Sequence, residues 1–344
     1  MLGNIRPALA PLFAAVLAAT CLVAPARAMV SSGGASASVD VPVASVLAVS
    51  IDGLNPRAIR ELGRDRAPTL HRLIDEGAST MNARTARELT TTLPNHTGML
   101  TSRRVNADRG GHGVTWNDDR LRPRTVHAAA GETVRSAFSV VHDETRPTAL
   151  FASKTKFTLF KRSWRSKIDR FTVRENNALL MRRVRGDLLN NDRAFRFVHF
   201  SKPDVVGHDR GFLSPAYLDA VADVDRLLGR LIAAIEADPV LKNGLVLIVT
   251  ADHGGKGHSH SDPTRYANYR VPFMAWGPGV AADADLYELN PHYASPGTSR
   301  TTYATTPPPI RNGAIANLVT DLLGLGPVPG SQRQFNKAQD LDLN

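Results

Sequence analysis

Apolar residues in this chain gather into short runs, and stretches with helical spacing separate them. Residues 46–51 (VLAVSI) form an apolar run of the kind that builds a strand buried on both faces. Residues 195–200 (FRFVHF) and 245–249 (LVLIV) read the same way. Residues 68–74 read as a helix, with Pro68 near its start and Gly77 just past its end. Ser214-Pro215 opens another helix as N-cap and first residue. Its apolar positions, Tyr217, Val221, Val224, Leu228, Leu231 and Ile235, advance by three or four and mark one buried face. Asp238-Pro239 stops it, and residues 315–323 predict a final helix. Strands alternating with helices predict an α/β fold: a three-layer α/β/α sandwich around a central, mostly parallel sheet.

Ligands of such sheets bind outside the carboxyl ends of the strands. Asp52, Asp204 and Asp252 each fall just beyond a predicted strand. They lie in Ile51-Asp52-Gly53, Pro203-Asp204-Val205-Val206-Gly207-His208 and Ala251-Asp252-His253-Gly254-Gly255. With Thr92-Leu93-Pro94-Asn95-His96 these segments supply three Asp, several His and a Thr hydroxyl. That inventory is enough for two divalent metals and a nucleophile, the means by which enzymes clamp both oxygens of a phosphoryl transfer.

Each part also has a plainer reading. Asp252-His253 offers two ligands on one turn whose glycines admit close approach, or it is an ordinary turn. Asp204 and His208, four apart, face one ion from a helical turn, or are a cap and a surface histidine. His258 and His260 alternate, so an extended segment points only one of them inward to join Asp204 and His208. Thr92 begins a predicted helix. It serves as an N-cap, or as an alkoxide nucleophile whose phosphate partner the helix terminus favours.

Composition narrows the setting. The 344 residues are 42% hydrophobic and 22% charged, enough for a sizeable core. Residues 1–28 read as a signal peptide, with an apolar stretch at 11–23 and cleavage after Ala26-Arg27-Ala28, leaving Met29 first. A secreted or periplasmic location follows. Residues 29–44 read as a flexible lead-in, 45–325 as one catalytic domain and 326–344 as a poorly ordered tail. Cys21, the only cysteine, would leave with the signal peptide, which excludes thiolate chemistry and Cys-ligated zinc from the mature chain. The net charge is +10, carried by runs such as Lys161-Arg162-Ser163-Trp164-Arg165 and Arg182-Arg183-Val184-Arg185. It is a solvated basic face, or it favours anionic substrates. No signature of sequence-specific nucleic-acid binding is present, and no later segment is apolar enough for stable membrane insertion.

Taken together, the motifs resemble the alkaline phosphatase superfamily, most closely its type I phosphodiesterase/nucleotide pyrophosphatase branch. The resemblance rests on Asp52-Gly53-Leu54, Ala67-Pro68-Thr69-Leu70, Thr92-Leu93-Pro94-Asn95-His96, Gly111-His112-Gly113-Val114 with Asn117, Pro203-Asp204 through His208, Thr250-Ala251-Asp252-His253-Gly254 and Gly277-Pro278-Gly279-Val280. It implies two divalent ions of the zinc type. Asp204, His208 and a later His would hold one; Asp52, Asp252, His253 and the Thr92 oxygen would hold the other. It implies Thr92 as nucleophile, a phospho-enzyme intermediate, and Asn117 as donor to a non-bridging phosphate oxygen. Aligning Gly254-Gly255-Lys256-Gly257-His258-Ser259-His260 with a pattern in bacterial relatives selects His260 as the late ligand, with His258 second.

The implied activity is hydrolysis of a phosphodiester or nucleotide pyrophosphate bond in a small phosphate ester. Leu93 departs from the branch, which often has an aromatic residue there, and substrate-binding insertions are short. A phosphomonoesterase or phosphonate hydrolase would use the same centre. The monoesterase usually adds a basic clamp, for which Arg87, Arg103 and Lys154 are the candidates. A non-catalytic secreted binding protein and a phosphotransferase acting on lipid or envelope glycans are the remaining alternatives. Sulfatase chemistry lacks its Cys or Ser.

Overall fold

The computed structural model describes residues 43–331 and 340–344. The expected signal peptide and all of the expected lead-in except Val43 and Ala44 lie outside these residues.

Among the described residues, eight strands form one sheet: β1 (Ser45–Ile51), β2 (Ala78–Arg84), β3 (Thr148–Ala152), β4 (Arg170–Val173), β5 (Phe195–Phe200), β6 (Leu245–Thr250), β7 (Arg270–Trp276) and β8 (Ala284–Asp285). Their order is β4-β3-β5-β1-β6-β7-β2-β8. Only β7 runs against the rest, pairing antiparallel with β6 and β2. The sheet is therefore mostly parallel, as the alternation of elements predicts. Every residue of β1, β5 and β6 is buried, because these three lie side by side at mid-sheet with both faces covered.

Helices cover both faces. Pro56–Arg66, Pro68–Asp75, Asn177–Asn190 and Pro215–Glu236 pack together in one layer. Thr92–Thr101, Ala137–Asp143 and Ile315–Leu322 pack together in another. The helix Pro215–Glu236 begins as its sequence predicts: the Ser214 hydroxyl accepts from the Tyr217 N–H, and Pro215 occupies the first turn. All six of its predicted core positions are buried. Asp238 does more than stop it. Its carboxylate caps a further short helix, Pro239–Gly244. Among the described residues, no helix is long and apolar enough to cross a membrane.

The expectation of a poorly ordered tail is corrected where residues are described. Val328, Leu341 and Leu343 are buried in the core. The Leu343 carbonyl accepts from the Ala281 N–H at 2.7 Å, and Asn290 bonds both backbone groups of Asp342. Three well-spaced apolar residues are too few for a pattern, yet they suffice to dock a terminus.

Candidate active site

The parallel strands bring their carboxyl ends to one edge, and the candidate side chains meet there. Asp52 leaves β1, Asp252 leaves β6, and Asp204 lies in the helix Lys202–Arg210 that follows β5. Asp52, Asp252 and His253 are fully buried, while Asp204 and His260 are nearly so. His208, one helical turn after Asp204, stands at the rim with its side chain 46% exposed.

Two groups of ligand atoms form. Asp204, His208 and His260 bring one atom each within 4.8 Å of one another, and Asp52, Asp204 and His253 do the same. Asp204 Oδ1 is 3.4 Å from His260 Nε2 and 3.5 Å from His208 Nε2. His253 Nε2 is 3.4 Å from Asp52 Oδ1 and 3.2 Å from Asp252 Oδ2. The His253 and His260 rings stack with centroids 3.5 Å apart.

The imidazoles are oriented from behind. His208 Nδ1 faces the His258 carbonyl at 2.9 Å, His253 Nδ1 the Gly254 carbonyl at 2.8 Å, and His260 Nδ1 the Thr90 carbonyl at 2.6 Å. A carbonyl only accepts, so each Nδ1 carries the proton and each Nε2 lone pair points into the centre. Metal-binding histidines are fixed in this way. His258 is exposed, and its Nδ1 serves the His208 carbonyl, away from the centre.

Thr92 is the first residue of the helix Thr92–Thr101, whose N-cap position belongs to Thr91. The capping reading of Thr92 is therefore overturned, because its hydroxyl makes no cap bond. That Oγ1 is buried and has no hydrogen-bond partner. The same holds for Asp52 Oδ1, Asp204 Oδ1, Asp252 Oδ2 and His253 Nε2. Five orphaned polar atoms from four segments, all at one sheet edge, are a donor set that divalent metals fit. Leaving each unpaired costs about 1–3 kcal/mol.

Asn117 lies beside the same helix start. Its Oδ1 accepts from the Leu93 N–H at 3.0 Å and from Lys156 Nζ at 3.3 Å, which directs its amide NH₂ outward as a donor. Of the clamp candidates, Lys154 sits in the centre: its ammonium contacts Asp52 at 2.6 Å and Asp204 at 2.7 Å. Arg103 is paired with Glu132, and Arg87 belongs to a separate arginine group.

Charge in the centre is strongly coupled. Burial pushes the Asp52 carboxyl up, but Lys154 and His199 together hold it well below the usual range. Asp252 goes the other way, pushed well up by burial and then by Asp52 and Asp204. Burial, and then the neighbouring His253, lowers the His260 imidazole to about 2. Burial likewise lowers His253, so the His253 and His260 imidazoles are neutral at neutral pH.

Several positioning groups escaped the sequence reading. His199 donates from Nε2 to Asp52 at 2.9 Å. His96 donates from Nδ1 to the Thr92 carbonyl, and its Nε2 accepts from Ser50. The available signal was a polar residue near the carboxyl end of a largely apolar strand: Ser50 in β1 and His199 in β5. Lys154, already named as a clamp candidate, stands two residues past β3, as Asp252 does past β6, while Asp52 stands one residue past β1. Phe212 packs behind His208 and His260 with ring centroids 5.8 and 6.2 Å away. It fits only because Gly53, Gly207 and Gly255 lack side chains. A Cβ on Gly207 would lie 2.7 Å from its ring, and one on Gly255 would collide with it.

The fold is shared with human ectonucleotide pyrophosphatase/phosphodiesterase 5, at TM-score 0.61 and 16% identity over 86% of this chain and 99% of that one. The inactive murine protein in complex with AMP gives a TM-score of 0.60, also at 16% identity and with the same coverage. A lipoteichoic acid synthase of Listeria monocytogenes gives 0.57 at 14% identity over 88% of this chain and 77% of that one. In sequence, 103 residues are 37% identical to a 2,3-bisphosphoglycerate-independent phosphoglycerate mutase of Rhodopseudomonas palustris, covering 27% of this chain and 18% of that protein. A GPI ethanolamine phosphate transferase 1 of Chaetomium globosum is 32% identical over 116 residues, covering 32% of this chain and 12% of that protein. The match thus spans under a fifth of either relative's length. Residues 46–292 match the model of the type I phosphodiesterase/nucleotide pyrophosphatase family. With the α/β/α fold and the Asp/His centre at its sheet edge, the chain belongs to that family.

Proposed function

We propose that this centre hydrolyses phosphodiester or nucleotide pyrophosphate bonds through Thr92. The observation that carries the reading is the set of five buried, unpartnered ligand atoms, one of them the Thr92 hydroxyl. Asp204, His208 and His260 would hold one divalent ion; Asp52, Asp252 and His253, with the Thr92 oxygen, would hold a second. Carboxylate and imidazole donors suit zinc. When bound, such a pair supplies positive charge at the attacking and leaving oxygens. Thr92 Oγ1 attacks phosphorus, one alcohol or nucleotide departs with a proton, and a phosphothreonyl ester that keeps the substrate's other substituent forms. Water then attacks that phosphorus, releasing the phosphate product and restoring the hydroxyl. The Asn117 NH₂ donates to a non-bridging oxygen, with the helix start at Thr92 behind it. The AMP complex of the murine relative supports trying nucleotide substrates.

Lys154 and Lys156 favour one second reading, a phosphomonoesterase. A monoester carries more negative charge than a diester, and the ammonium groups of Lys156 beside Asn117 and of Lys154 at Asp52 and Asp204 match it. The test is a paired rate assay on metal-replete protein, with bis-p-nitrophenyl phosphate against p-nitrophenyl phosphate, each with and without chelator. A chelator-sensitive preference for the diester supports the proposal. Preference for the monoester, lost in Lys156→Met, moves the chain to the second reading. No turnover on either ester points to a binding protein. Export is proposed from the signal peptide; N-terminal mass analysis of the secreted chain, expected to begin at Met29, tests it.

A further inference from the structure

Outside the metal centre, four arginines converge without a counterion. Arg84 ends β2, Arg87 lies in the segment leading to Thr92, and Arg300 and Arg311 lie in the chain before the helix Ile315–Leu322. All four line one small cavity of about 10 Å³, together with Thr85, Ala86, Tyr269 and Thr301. Arg84 and Arg311 are almost wholly buried, at 2% and 3% exposure. Among the described residues, none of the four is within ion-pair distance of a carboxylate.

Their hydrogen bonds go to neutral groups. Arg84 donates to carbonyls of Asn82, Ala83 and Gly297 and to the Asn82 side-chain oxygen. Arg311 donates to the Thr85 carbonyl at 2.7 Å, and Arg300 to the Arg87 carbonyl at 2.7 Å. The Nε groups of Arg87 and Arg300 are buried and donate to nothing. The nearby acids are committed elsewhere: Glu88 to Tyr303 and Arg104, Asp262 to Thr264 and Arg265. Burial disfavours the cations, and the guanidiniums also repel one another, Arg87 acting on both Arg300 and Arg311. Arg84 lies over the Tyr266 and Tyr269 rings and Arg311 over Tyr303, but neither has an anion; buried charge without an anionic partner is costly, and two buried donors without acceptors add to the cost. An anion in the cavity relieves both.

We infer that Arg84, Arg87, Arg300 and Arg311 form a binding site for one compact inorganic anion of halide size. The cavity has room for a single water-sized guest. A bound anion ties together two segments that flank the metal centre. Thr85 to Thr91 leads to the nucleophile candidate. Arg311 precedes Asn312, whose amide donates to the Ala251 and Asp252 carbonyls at 3.1 and 3.3 Å. The site does not depend on what the metal centre hydrolyses.

The experiment uses bromide as probe. Crystals of the full chain are soaked in sodium bromide, and anomalous diffraction locates the ion. Thermal unfolding is then compared in sodium chloride and in sodium gluconate at equal ionic strength. A bromide peak among the four guanidiniums is expected. So is a melting temperature about 2–4 °C higher in chloride, a rise that Arg87→Gln/Arg300→Gln abolishes. Both arginines are partly exposed, so this variant is expected to fold; Arg87→Lys/Arg300→Lys, which keeps the charges, checks that the loss follows charge. No peak at the cavity overturns the inference, as does a chloride rise that survives in the Gln variant.

Discussion

His208 Nε2 and His260 Nε2 lie 3.0 Å apart, and both rings have already committed their Nδ1 protons to backbone carbonyls. Two lone pairs facing each other at that distance repel unless a cation is shared between them. Asp204 Oδ1, 3.4–3.5 Å from both nitrogens, completes the set. His260→Ala is expected to lower metal content and turnover together, by at least about 100-fold in affinity. His258→Ala, an exposed neighbour turned away, is expected to keep both within about twofold. Metal analysis and rate measurement on the two variants check this, and equal loss in both would sink it.

Thr92→Ala removes an oxygen but none of the carboxylate or imidazole ligands. Turnover is expected to fall by at least about a thousandfold, with metal content largely retained. Rapid acid quenching of the wild type during turnover is expected to trap the substrate's phosphoryl group on Thr92, still esterified to its second substituent. A variant that still turns over at the wild-type rate removes Thr92 from the chemistry.

Five buried imidazoles, His96, His112, His199, His253 and His260, are held below the ordinary histidine value, each mainly by burial. The unfolded chain takes up protons near pH 6.5 that the folded protein refuses. Stability is therefore present above that pH. It is lost as the pH falls towards the folded values, about 3 for His112 and about 2 for His260. Each histidine contributes a slope of up to about 1.4 kcal/mol per pH unit. Asp252, raised by burial and by Asp52 and Asp204, acts with the opposite sign. Urea unfolding of chelated protein is expected to show a lower midpoint at pH 5.5 than at pH 7. An unchanged midpoint would contradict this account.

Gly255→Ala is expected to damage the site without touching a ligand. Its new Cβ collides with Phe212, which must shift away from His208 and His260. A destabilisation of about 1–3 kcal/mol and weaker metal binding are expected, read by urea unfolding and metal titration. In Gly255→Ala/Phe212→Leu, the smaller side chain is expected to restore part of the metal affinity. Failure of both variants to change affinity would show that Phe212 does not position the histidines.

Much of this molecule was legible in the chain. The apolar runs of β1, β5 and β6 are unbroken enough to read, because strands covered on both faces need no polar alternation. The helix Pro215–Glu236 declares its start, stop and buried face through local rules alone. The short edge strands β4 and β8 escaped, since four and two residues carry no period. β2 escaped because its sequence, ASTMNAR, mixes polar and apolar residues without alternation.

For the site, sequence determined which residue types stand just past which strands, and hence that Asp52, Asp204 and Asp252 share an edge. It left His258 and His260 open, because an alternating loop does not say which side faces in. The tertiary structure decided that, through the Thr90 carbonyl that holds His260 and the His208 carbonyl that turns His258 away. It also decided that Lys154 enters the centre, that Phe212 backs the histidines, and that four arginines share a cavity. Those relations join residues tens to hundreds of positions apart. Local propensity and periodicity act over a few residues, so only packing of the whole sheet and its loops fixes them.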